Sequence, residues 1–69
     1  MAKYYELIKI FPNGKKETVK IFTSFKEADR VAKARLKVSK DEIYHVRVYF
    51  IMRSRDLLVD EIVYYNLKR

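Results

Sequence analysis

FPNGKKETVKIFTSFKE, residues 11–27, is the stretch that decides the fold. Near its start stands Pro12-Asn13-Gly14, with the only proline and the only glycine of the chain. Proline presets φ for the first turn position, asparagine suits the second, and glycine accepts the left-handed conformation. The trio predicts a three-residue hairpin loop closed by a glycine bulge. The apolar runs on either side then read as strands, Lys3 to Phe11 and Lys15 to Thr23. Charge tests the register. The bulged loop sets Lys9 opposite Glu17 and Glu6 opposite Lys20, two favourable cross-strand pairs. A two-residue Asn-Gly loop would instead set Ile10 opposite Glu17 and Glu6 opposite Ile21. At the far end, Ser24-Phe25-Lys26-Glu27 fits a capping box, in which Ser and Glu satisfy each other's backbone donors. It predicts a helix running to about Val38, with Phe25, Ala28, Val31, Ala32 and Leu36 on its apolar face.

Beyond the helix, Ser39-Lys40-Asp41-Glu42 reads as an exit loop and Ile43 to Arg53 as a long strand. Ser54-Arg55 makes a turn, and Leu57 to Leu67 is the last strand. The expected architecture is a single small α+β domain over residues 1–69, ordered β-β-α-β-β. Its antiparallel hairpins form a four-stranded sheet with one helix packed on one face.

A chain of 69 residues has room for one core. Domains of this size have modest stability, on the order of 3–10 kcal/mol, and often need reinforcement. The sequence has no cysteine and one histidine, which excludes disulfides, thiol catalysis and zinc knuckles and leaves oligomerisation open. A 36% charged composition with no glutamine and two asparagines is thermophile-like. The longest apolar run, Val48 to Met52, is too short to cross a bilayer, and the first residues lack the apolar core of a signal peptide. A cytoplasmic protein without a membrane partner is expected.

The net charge of +7 is uneven. Residues 1–40 carry eleven Lys or Arg against four Asp or Glu, and residues 41–69 carry five of each. Basic excess favours polyanions such as nucleic acid. On the predicted helix, Lys26, Arg30, Lys33, Lys37 and Lys40 recur at alternating spacings of four and three. They form a stripe opposite the apolar face, a ridge that can track phosphates or simply face solvent.

A sheet covered by one helix should be apolar on one side only, yet both sides of this one read as apolar. In the last hairpin, strict alternation sends Tyr44, Val46, Val48, Phe50, Met52, Leu57, Val59 and Val63 inward. It leaves Ile43, Tyr49, Ile51, Leu58, Ile62 and Tyr64 outward. In the first hairpin it groups Tyr5, Leu7, Val19 and Ile21 against Tyr4, Ile8, Ile10 and Phe22. One helix covers one side, so the outward set is expected to form an oligomer or partner interface. The same side is also expected to carry Lys20 and Phe22 on one strand and His45, Arg47, Tyr49 and Arg53 on another. Tyr64 stands beside them, a mixture able to stack bases. Arg53 and Arg55 mark an exposed hairpin tip.

Enzyme signatures are lacking. Asp60 and Glu61 are adjacent in a strand and point to opposite faces, so they cannot act as a pair. Glu6 and Glu61 suit structural pairing with Lys or Arg better than acid catalysis. Ser24 and Ser39 sit where caps are needed, and His45 has no visible base partner. No phosphate loop or dinucleotide fingerprint occurs, and no cofactor is expected.

Asn13-Gly14-Lys15-Lys16, then a strand, then Phe25-Lys26-Glu27-Ala28 opening a helix resembles the arm-type DNA-binding domains of phage integrases over roughly residues 5–37. Those domains place three strands before the helix, whereas this chain places two before it and two after. No functional residues are transferred from them.

The expected function is therefore a small basic non-enzymatic nucleic-acid-binding protein, a homodimer contacting phosphates with little sequence specificity. Its contacts would be Lys26, Arg30, Lys33, Lys37, Arg47, Arg53 and Arg55. The alternative is a protein-interaction module, such as a small virus-encoded inhibitor or adaptor, that docks a partner through its apolar sheet face or an edge strand.

Overall fold

The computed structural model describes residues 2–66 and has the expected element order. Strands β1 (Lys3–Ile10) and β2 (Lys16–Phe22) precede helix α1 (Phe25–Val38); β3 (Ile43–Ile51) and β4 (Asp56–Tyr64) follow. The expected end of the last strand, Leu67, lies outside the described residues. The sheet is antiparallel throughout, in the order β2-β1-β3-β4.

The hairpin loop is the one its residues dictate. The Gly14 amide donates to the Phe11 carbonyl at 2.9 Å, and the Phe11 amide to the Lys15 carbonyl at 2.8 Å. Gly14 sits at φ 90°, the left-handed conformation that closes this bulge. Lys9 faces Glu17 as the charges require. The second expected pair fails: a β-bulge at Val19 shifts the register, so Glu6 lies opposite Ile21 rather than Lys20. The Glu6 carboxylate accepts instead from the Thr18 hydroxyl.

The helix begins after Ser24, where predicted, but the Ser24 side chain makes no cap bond. The first turn closes through backbone alone, with the Ala28 amide on the Ser24 carbonyl at 3.2 Å. At the other end, the Asn66 amide group donates to the carbonyls of Leu36 and Lys40 at 3.0 and 3.3 Å. The first bond satisfies an acceptor that a helix C-terminus leaves open, and the second ties the exit loop to the last described residue of the chain.

The core lies between α1 and one face of the sheet. Ala28, Ala32 and Leu36 meet Leu7, Phe22, Tyr44, Val46 and Tyr64, all buried. Two alanines bring the helix backbone close to the sheet, and the large rings fill the space around it. The buried hydroxyl ends find partners: Tyr64 donates to Asp29 at 2.6 Å and Tyr44 to Glu42 at 2.6 Å. In its thinnest direction the molecule measures 17 Å. That accommodates one sheet and one helix, with none of the described residues beneath the sheet.

Two bulges revise the expected faces. The β4 bulge, at Val59, opposes Val48 to Asp60 and Tyr49 to Leu58. Every later β4 side chain therefore turns over. Ile62 and Tyr64, expected outward, lie on the helix side opposite Val46 and Tyr44. Val63, expected inward, lies outward opposite His45. The Val19 bulge does the same to β2: Phe22 joins the helix-side core, Ile21 faces outward, and Lys20 lies opposite Leu7 on the helix side.

Candidate nucleic-acid interface

The helix brings four of the predicted contacts together. Lys26, Arg30, Lys33 and Lys37 lie on its exposed side, away from buried Ala28, Ala32 and Leu36. At 1.5 Å per residue the stripe is about 16 Å long. The helix itself holds five basic and two acidic residues, a net +3. The two acids are engaged within it. Glu27 lies 3.7 Å from Arg30, an exposed pair of little strength. Asp29 lies 3.2 Å from Lys33. The Asp29 carboxyl is held below its ordinary range, chiefly by the Tyr64 hydroxyl, with burial opposing and Lys33 assisting. Lys33 is therefore part of a structural chain, Lys33–Asp29–Tyr64, that ties the helix surface to the core. Lys26 and Lys37 form no ion pair among the described residues and are the freer cations of the ridge.

Arg35, at the flank, stands over the Tyr44 ring at 6.0 Å. With Arg30, Lys9 and Glu42 it borders a recess of about 460 Å³ beside the second half of α1. Lys9 is already committed to Glu42 at 2.7 Å.

The other three predicted contacts lie elsewhere. Arg53 and Arg55 are exposed in the β3–β4 turn, which closes with the Met52 amide on the Arg55 carbonyl at 3.2 Å. Arg47 lies on the opposite side of the sheet from the helix. Its Nε donates to Glu61 at 3.0 Å, and His45 Nδ1 lies 2.5 Å from the same carboxylate oxygen. His45 and Arg47 together hold the Glu61 carboxyl below its ordinary range. Arg47 is thus neutralised in place and is a poor phosphate contact.

The outer sheet face is a different surface. Cross-strand register assigns to it Lys16 and Arg47, Glu6, Asp56 and Glu61, and His45, so it is close to neutral. Tyr4 and Tyr49 stack across β1 and β3 with centroids 5.0 Å apart, and the Tyr4 hydroxyl donates to Asp56 at 2.7 Å. That bond raises the Tyr4 hydroxyl pKa to about 12. Lys20, Phe22 and Tyr64, expected on this face, are on the helix side instead. The rings that remain lie flat against each other rather than open to a base.

The His45–Glu61 contact was missed by sequence reasoning. A correct register for β4 would have shown it, because Arg47 opposite Glu61 is the same kind of charge match that set Lys9 opposite Glu17. Among the described residues no group of three or more His, Asp or Glu side chains is placed to hold a metal ion, and no helix is long and apolar enough to cross a membrane. Comparison of the chain with protein-family models, curated proteins and solved structures finds no match in any of the three.

Proposed function

We infer that this small α+β domain is a nucleic-acid-binding protein that grips phosphates with the exposed side of α1 and reads little sequence. The observation that carries the reading is the separation of charge between its two faces. The helix side bears the basic excess along one stripe, while the outer sheet face is near neutral and internally paired. A polyanion is drawn to the first and not to the second. Lys26, Arg30 and Lys37 are the principal contacts, with Lys33 contributing from its pair with Asp29. Arg53 and Arg55 reach a neighbouring phosphate from the hairpin tip. The helix has no Asn or Gln to match an adenine edge, and its cations are assigned to phosphates, which position without reading sequence, so weak sequence preference is expected.

The test is fluorescence anisotropy with labelled single- and double-stranded DNA and RNA across a salt series. Micromolar binding that weakens steeply with salt is expected. Absence of binding at low salt would overturn the reading and leave the charge as a solubility feature. A protein-interaction module would then take its place. That second reading rests on the apolar outer face and on β4, an edge strand whose residues Asp56 to Glu61 are all exposed.

A further inference from the structure

The outer sheet face exposes Ile21, Ile43, Ile51, Leu58 and Val63, each 40–55% accessible. They lie on β2, β3 and β4, and β1 between them adds Tyr4 and Ile10, half-buried like Tyr49 of β3, and buried Ile8. Scattered surface aliphatics need no explanation, but a contiguous set on one side of a sheet does.

We propose that a second copy of this chain covers this face in a two-fold, sheet-on-sheet contact, leaving the two basic helices on opposite outer sides of the dimer. Three properties of the face select that occupant. The first is charge. The chain carries +7, so two copies repel wherever their basic surfaces approach. The outer face, with two basic and three acidic residues by register, is where they meet with least repulsion. A basic partner would gain little there, and an acidic one would be drawn to the helix.

The second is polar bookkeeping. Each of the three carboxylates on the face has a partner on the same face. Glu6 takes Thr18, Asp56 takes Tyr4, and Glu61 takes His45 and Arg47. Covering the face with apolar surface therefore leaves none of these acids without a hydrogen-bond partner, and what the apolar contact must outweigh is the desolvation of Glu6 and Asp56, each held by a neutral hydroxyl. The third is size. Four strands about 4.8 Å apart, each about eight residues long at about 3.3 Å, give a flat area of roughly 500 Å² per copy. Two copies bury about 1,000 Å², the lower bound of a specific interface. Twisted sheets of this kind pack face to face at about −30°.

The proposal does not depend on nucleic-acid binding and is tested without it. Light scattering on the purified full chain should give twice the 8.4 kDa of one copy at micromolar concentration. Leu58→Glu and Ile43→Glu each place a carboxylate where the two-fold doubles it, and both residues are exposed in the single copy. Each should raise the dimer dissociation constant on the order of a hundredfold or more, with the far-ultraviolet circular dichroism unchanged. Two variants are used so that the failure of one to fold leaves the other to decide. Leu57→Lys, on the helix side of β4, should remain dimeric. A wild-type chain that stays at 8.4 kDa overturns the proposal. So does a wild-type dimer that survives whichever face substitutions fold, since its copies would then join elsewhere, at the β4 edge first of all.

Discussion

Neutralising Lys26, Arg30 and Lys37 together as glutamines tests the helix ridge. The choice follows the structure: Lys33 is left alone because it braces Asp29, and Asp29 holds the Tyr64 hydroxyl. Each phosphate contact contributes about 0.9 to the slope of log affinity against log salt on duplex DNA, so loss of three should flatten the slope by about 2.7. At 0.1 M salt that corresponds to an affinity loss of about 500-fold, shrinking to almost nothing as salt approaches 1 M. On single strands, at about 0.7 per contact, the figures are about 2.1 and roughly 130-fold. The assay is anisotropy titration at four or more salt concentrations, with the melting temperature measured alongside. All three side chains are exposed, so stability should change by less than about 0.5 kcal/mol. An unchanged slope would refute the ridge as the site. A loss equal at every salt concentration would do the same, because it would mean that something other than phosphate contact had been removed.

The fold and the two proposals fix five further outcomes. Tyr64→Phe leaves the Asp29 carboxylate without its hydroxyl donor; a hydrogen bond to a charged group is worth about 1.5–3 kcal/mol. Each kcal/mol lost lowers the melting temperature of a domain this size by roughly 4–8 °C, and a drop below about 2 °C would show that the Tyr64–Asp29 bond carries no net stability. The carboxyls of Asp29, Glu42 and Glu61 are all held below their ordinary values of 3.8, 4.5 and 4.5. Their contribution is complete above those values and lost as pH falls through the lower folded ones, so melting temperature should be flat above about pH 5 and fall below it. Tyr4 behaves oppositely: raised from 10.0 to about 12, it should add a second decline as pH climbs between the two. Gly14→Ala meets no neighbouring atom, so its cost is the left-handed backbone alone, about 1–2 kcal/mol in chemical denaturation, and a larger loss would mean the loop had been misread. A face-to-face dimer with helices outward should bridge two duplexes. Energy transfer between separately labelled duplexes is expected for the wild type and absent for Leu58→Glu, and wild-type binding without transfer would place both ridges on one side.

How far the sequence could be read depended on whether a feature had a local chemical mark. The Pro12-Asn13-Gly14 loop has one, since only a residue tolerant of positive φ closes it, and loop, flanking strands and the Lys9–Glu17 match all followed. The helix has another in the spacing of Ala28, Ala32 and Leu36. Its Ser24 start was right although the serine hydroxyl makes no cap bond, because the run of helix formers, not the cap, carries the signal. Strand order had no mark, since β1 pairs with β3 across a helix-bearing connection that the sequence does not encode locally.

The two bulges had none either. Val19 and Val59 are ordinary strand residues, and neither bulge contains a glycine that would announce it. Strict alternation therefore sent Ile62 and Tyr64 to the wrong face and missed Val63 and Ile21. The cost of that slip falls on the candidate site rather than on the fold, since the elements survive while the surfaces exchange members. The bulges also have a physical rationale in the finished structure. Without the one at Val59, Glu61 would face the helix beside Val46, a carboxylate in the core, and Tyr64 would lose its reach to Asp29. With it, Glu61 meets His45 and Arg47 outside and Tyr64 closes the core inside. One inserted residue thus satisfies both sides of β4, and it leaves the outer face apolar, balanced in charge and bare, as a surface for a second copy must be.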